Sequence, residues 1–147
     1  MEKPLRASEM RGKERKIFLT CLSILADIVG YDELMSLDPL PNIVSELPGR
    51  GGLTKFLSLD ECQVEVQRTM PGDRRKMYAA YYTVDRGIEI ISFEASNFGG
   101  SDLVVADPFM GSGRLLAKTV ERIGVERVAL AWGIEPLPLP ALVALAS

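Results

Sequence analysis

The apolar positions of the chain follow two different rhythms. Between residues 13 and 29, Phe18, Cys21, Leu22, Leu25, Ile28 and Val29 recur at steps of three and four, which places them on one face of a helix buried against another element. Gly30 stops that helix. Over residues 31 to 56 no period survives, and Pro39, Pro41, Pro48 and the run PGRGG predict short helical turns and loops, with Arg50 to Gly52 as a flexible joint. Ser58 and Glu61 have capping-box spacing for a helix over about residues 59 to 69, while the alternation in QVEVQ suits a strand equally well.

The second half reads more sharply. In YYTVDRGIEIISFEA, residues Val84, Ile88, Ile91 and Ala95 repeat at helical spacing, with Thr83 as N-cap and Asp85 in the first turn, where the helix dipole favours an acid. Asn97, Gly99 and Gly100 terminate this helix. DLVVA is too short for a helix and rich in β-branched residues, SGRLLAKTVERIG has helical period over residues 112 to 123, and ERVALAWGI reads as a second buried strand with Trp132 in the core. The order strand, glycine loop, helix, strand predicts a parallel βαβ unit with a right-handed crossover. The expected class is α/β, with a helical region over residues 1 to 70 and the βαβ unit within residues 71 to 147, together one compact domain.

Composition adds mainly exclusions. The chain has 147 residues, 47% hydrophobic and 25% charged, with a net charge of -3, values of an ordinary soluble single domain without repeats. Basic residues cluster at Lys3, Arg6, Arg11, Lys13, Arg15 and Lys16, and again at Arg68, Arg74, Arg75 and Lys76; such clusters read first as solvated faces. There is no histidine, and Cys21 and Cys62 lack metal-ligand spacing, which excludes a zinc site and a histidine-based catalytic dyad. Two unspaced thiols fit a reducing cytoplasm. The apolar run IFLTCLSILADIV is closed by Asp27 and is too short to span a bilayer as a helix, so no membrane partner is expected.

Candidate chemistry centres on ADPFMGSGRLL, residues 106 to 116. Gly111 and Gly113 supply the backbone freedom for a sharp turn at the end of a strand and let a ligand approach the main chain. Free N–H groups at the start of the next helix, near Ser112 to Leu115, favour a negative or polar ligand group. Glu135 ends the second strand, where a carboxylate can accept hydrogen bonds from both hydroxyls of a ribose. The loop lacks the spacing of a Walker phosphate loop and the full pattern of a dinucleotide site.

At these residues the chain resembles class I S-adenosylmethionine-dependent methyltransferases. ADPFMGSGRLL is similar to motif I in the D-P-F-x-G-S-G form of amino-methyltransferases acting on DNA and of some acting on RNA. GIEPLPLPALVALA resembles motif II, and KMYAAYYTVDRGIEII resembles motif X; the likeness covers about residues 76 to 147. It implies a partial Rossmann-like S-adenosylmethionine-binding region over residues 71 to 147. Asp107 would then contact the methionine amino group, Pro108 belongs to the motif string, and Phe109, Met110, Gly111, Ser112 and Gly113 would line the cofactor. Glu135 would hold the ribose, and Tyr82 and Thr83 would lie near the carboxylate. Val84 stands where the family has a proline, Arg114 where it has a threonine, and Pro138 and Pro140 enter the start of the motif II helix.

The family's acceptor string, an Asp or Asn with two prolines and an aromatic, is missing. DPLPN at Asp38 to Asn42 comes nearest and reads as a proline-rich turn, so no catalytic residue is assigned. The expectation is a fragment, a truncated gene product or one subunit of a split enzyme, inactive alone, with a catalytic subunit and nucleic acid, DNA before RNA, as partners. Two other readings stand: a non-enzymatic interaction module built on a relic fold, and an unusual RNA or small-molecule methyltransferase using Tyr78, Tyr81 or Asp85. Because both strands are apolar on both faces, a homo-oligomer is expected, either joining two partial sheets or drawing a further strand from residues 53 to 70.

Overall fold

The computed structural model describes residues 2–77 and 83–147. Helix α1, Gly12–Val29, buries Ile17, Phe18, Cys21, Leu22 and Leu25, the three- and four-residue stripe expected of it. Ile28, assigned to the same face, is exposed beside the exposed Asp27; in that last turn Ala26 and Val29 are the residues packed against the core. The next segment consists of short turns, as the prolines require: a 3-10 turn at Tyr31–Ser36, helix α2 at Leu40–Ile43, and a second 3-10 turn at Arg50–Gly52. Two short strands were not expected, β1 at Leu5–Arg6 and β2 at Val44–Glu46, and they pair in parallel. The Glu46 carboxylate reinforces that pair, accepting from the Ser8 N–H at 3.1 Å and the Ser8 hydroxyl at 2.8 Å.

The ambiguous QVEVQ segment is helical, in α3 at Leu59–Thr69. Both arms of the capping box are made: the Glu61 N–H donates to Ser58 Oγ at 3.1 Å, and the Ser58 N–H donates to Glu61 Oε2 at 2.7 Å. Cys62 and Val66, four residues apart, face the core together with Gln63, while Val64, which a strand would have put on the same face as both, is only half-buried. The further strand sought in residues 53 to 70 is therefore absent. A short helix, α4, follows at Gly72–Met77.

Beyond residue 82 come α5 at Asp85–Ser96, β3 at Leu103–Asp107, α6 at Arg114–Ile123, β4 at Val128–Gly133 and α7 at Pro138–Ala146. The N-cap of α5 is Val84 with no side-chain cap, so Thr83 stands one residue too early for the capping role expected of it. Strands β3 and β4 are parallel, with Val104 opposite Leu130 and Ala106 opposite Trp132. Helix α6 packs on this pair and α5 packs on α6, tied by Arg114 to Asp85 and Arg122 to Glu89.

Helix α7 is apolar on all sides and almost wholly buried. It leaves the sheet and packs against α1, α2 and α3. Pro138 and Pro140 do it no harm, because they lie in its first turn, where the missing N–H groups would have no helical partner. The main core is thus the α1, α3 and α7 bundle, with Phe18, Leu22, Leu34, Leu40, Val66 and Leu142 fully enclosed. Within it the Cys21 and Cys62 thiols hydrogen-bond; that bond, together with burial, pushes Cys21 up, and it draws Cys62 down against the opposing effect of burial.

Trp132 is not in this core. It is 43% exposed, in a strand whose residues Ala129 to Trp132 are all exposed. The chain is mixed α/β with two parallel strand pairs, and no helix among the described residues is long and apolar enough to cross a membrane.

Candidate functional site

The β3–β4 ladder ends at Asp107 opposite Gly133, and the two exit loops stay tied beyond it. The Ile134 N–H donates to the Asp107 carbonyl at 3.2 Å, and the Met110 N–H donates to the Ile134 carbonyl at 3.3 Å. Asp107 and Glu135 are thereby held at the same end of neighbouring parallel strands, the end at which open α/β sheets bind ligands. Between them the chain turns through Gly111 at φ 55° and Gly113 at φ 76°, left-handed conformations that carry little penalty for glycine. Helix α6 begins only at Arg114, two residues later than its apolar rhythm suggested, because Gly113 serves as its left-handed N-cap.

The surroundings of these glycines show what the small residues are for. A Cβ on Gly113 would lie 2.9 Å from the Cβ of Ala144, so the missing side chain lets the loop close on α7. A Cβ on Gly133 would lie 2.4 Å from Met110 Sδ, which puts the Met110 side chain across the end of β4. Neither contact is visible in the spacing of the string.

Both candidate carboxylates also hold their own loops. Asp107 Oδ1 accepts from the Phe109 N–H at 3.0 Å, and Glu135 Oε1 accepts from the Leu137 N–H at 2.7 Å just before α7. Burial pushes Glu135 above the usual carboxylate range, and the Leu137 hydrogen bond offsets part of that rise. Ser112, between the two glycines, is 1% exposed, and its hydroxyl has no hydrogen-bond partner among the described residues. An unsatisfied buried hydroxyl is costly; only the small size of Ser112 hinted at its enclosure. Pro108 and Phe109 stand out from the loop, Phe109 being 89% exposed. The arrangement offers two half-buried carboxylates as hydrogen-bond acceptors beside the N–H groups that open α6, and the acids suit hydroxyl or ammonium groups of a ligand.

Thr83 is exposed, and its methyl lies where a Cβ on Gly87 would fall, at 2.8 Å. Tyr82, with Tyr78 and Tyr81, lies outside the described residues. Asp85, the acceptor candidate of one reading, is committed to Arg114. Both border a groove of about 1060 Å³ whose walls include Asp60 and Gln63 of α3, Ile88 of α5 and Lys118 of α6. Of the loop only Met110 and Gly113 reach that groove, so it is a separate concavity from the Asp107 and Glu135 site.

The basic clusters are largely engaged within the chain. Lys13 and Arg68 both pair with Glu65 at 2.6 Å, Lys3 pairs with Glu9 at 3.2 Å, and Arg74 pairs with Glu2. The Lys13 hydrogen bond holds Glu65 below its ordinary pKa, with Arg68 acting in the same sense. Arg15 donates to the Ala7 carbonyl at 3.0 Å and Arg75 to the Gln67 carbonyl at 3.0 Å. No cluster of three or more His, Cys, Asp or Glu among the described residues could hold a metal ion. No protein-family model, curated protein or solved structure matches this chain.

Proposed function

We propose that the chain is the S-adenosylmethionine-binding part of a Rossmann-like amino-methyltransferase acting on nucleic acid, DNA before RNA, with the acceptor site supplied by a catalytic partner. The observation that carries this reading is the convergence of Asp107 and Glu135 at one end of adjacent parallel strands, astride the DPFMGSG turn that opens α6. In this reading Asp107 takes the methionine ammonium, Glu135 takes the ribose hydroxyls, and Phe109 to Gly113 form the cradle. The orphaned Ser112 hydroxyl fits the same cradle. Bound cofactor would supply an electrophilic methyl group; the chain's own part is to bind and orient it.

A non-enzymatic interaction module is the second reading. It is favoured by the way each candidate acid already caps its own loop and by the exposed apolar side chains of the β3–β4 pair. The third reading is a complete but unusual RNA or small-molecule methyltransferase with Tyr78, Tyr81 or Asp85 at its acceptor site; the Arg114 pairing weakens it at Asp85.

Calorimetric titration with S-adenosylhomocysteine separates these. Binding is expected, and Asp107→Ala and Glu135→Ala should each weaken it by about 1–3 kcal/mol through lost buried hydrogen bonds. Absence of heat at millimolar ligand from a folded chain overturns the proposal, and unchanged affinity in both variants moves the site elsewhere. Radiolabel transfer to DNA or RNA by the chain alone is not expected, because a cofactor site without an acceptor site positions only one reactant.

A further inference from the structure

Parallel strands are normally covered on both faces; among the described residues α6 packs on the β3–β4 pair, yet β3 is exposed at Val104 and Ala106 and β4 from Ala129 to Trp132. In-register residues of parallel neighbours share a face, so Val104, Leu130, Ala106 and Trp132 form one surface, the one that carries the exposed positions of β3. Val104 is 63% exposed and Leu130 53% exposed, and Ile134 continues the row beyond β4 at 56%. These five side chains carry no charge. They expose together on the order of 500 Å² of apolar surface, the upper part of the range that a lone soluble chain shows.

We propose that this face is the contact surface between two copies of the chain, meeting about a twofold axis with β3–β4 against β3–β4. Two observations select a second copy as the occupant. Two such faces brought together bury about 1,000 Å², the threshold for a specific interface. A twofold contact also sets the same surface against itself, which a charged patch would oppose by like-charge repulsion and this uncharged one does not. The contact is that of two sheets packed face to face, about 10 Å apart with side chains interdigitated. Trp132, the only tryptophan in the chain, lies within it and reports on it directly. The proposal does not rest on cofactor binding, since none of these five side chains is a candidate ligand contact.

Light scattering and tryptophan emission, measured together over a dilution series, test it. A dimer is expected, with Trp132 emission shifting to the red as it dissociates. Val104→Glu on β3 and Leu130→Glu on β4 should each weaken dimerisation about a hundredfold or more, because each carries an unpaired carboxylate into an apolar contact. Circular dichroism of both variants checks that the helical bundle is intact, and two variants on different strands guard against one of them failing to fold. A chain that stays monomeric at the highest concentrations overturns the proposal and leaves the face to a different polypeptide. A dimer whose affinity survives both substitutions, or whose Trp132 emission is unchanged on dissociation, overturns it as well, by placing the contact elsewhere.

Discussion

The α1, α3 and α7 bundle and the layer of α5, α6, β3 and β4 have similar raw material and opposite outcomes. In the bundle each helix has one broad apolar face, or in α7 all faces, and the partners needed to cover it are supplied within the chain: Phe18, Leu22 and Leu142 have no exposure. In the sheet layer the strands are apolar on both faces, and with α6 packed on them β4 is still exposed from Ala129 to Trp132. Of the α5 and α6 residues, only Ile88, Ser92, Thr119 and Ile123 are buried. A helix can finish its burial with one neighbour, whereas a parallel strand needs two layers and two edge partners. The bundle therefore encloses its apolar side chains, whereas the strand pair leaves Val104, Leu130 and Trp132 exposed.

The sharpest way to break this comparison is to truncate one large side chain in each region. Phe18→Ala should cost about 3–5 kcal/mol, as large-to-small changes in a closed core do. Leu130→Ala should cost less than about 1 kcal/mol at concentrations where the chain is monomeric, because its side chain already meets water. Urea denaturation of both variants measures the difference, and comparable losses would mean that the sheet face is enclosed after all.

A smaller effect probes the seam between the two regions. Gly113 combines a left-handed backbone with the close approach of Ala144, so Gly113→Ala should lower stability by about 1–3 kcal/mol. The same denaturation experiment reads it. A neutral result would show that the loop and α7 can separate, and that the site and the bundle are not mechanically joined.

The smallest effect is a pH dependence at Glu135. Burial raises its folded pKa above the ordinary value of 4.5, so the folded chain holds this proton more tightly than the unfolded chain. The contribution to stability is then most favourable below about pH 4.5 and is lost as pH rises through the raised value. Glu135→Gln keeps a carbonyl oxygen for the Leu137 N–H and should flatten this slope. Thermal melts of both proteins from pH 4 upward should therefore diverge in favour of the variant; parallel curves would show that Glu135 is as solvated folded as unfolded.

Local signals read correctly are those with a local cause. The α1 stripe, the Ser58 and Glu61 capping box, the break at Gly30, and the strand, loop, helix, strand order all follow from interactions within a few residues. The same holds for the candidate site as a string: DPFMGSG fell between β3 and α6 because a strand end, two left-handed glycines and a helix start are written in consecutive residues. What misled was the assumption that an apolar residue finds cover. Trp132 and Ile28 satisfy every local rule for burial and are exposed, since cover is provided by other elements. Strands β1 and β2, only two and three residues long, carry too few positions for any period to show.

By itself, then, the sequence determined where α1 stops, that β3, α6 and β4 follow one another in that order, and that two acids and a glycine turn stand at their boundaries. Only the tertiary structure decided that α7 leaves the sheet for the α1 and α3 bundle, that Gly113 is small to admit Ala144, that Ser112 is sealed with no hydrogen-bond partner among the described residues, and that Val104, Leu130 and Trp132 stay exposed. The reason is physical: hydrogen-bonded turns and caps are closed by neighbours along the chain, but burial depends on which distant surfaces compete for the same apolar face, and α7, apolar on every side, gains most from the site that can surround it.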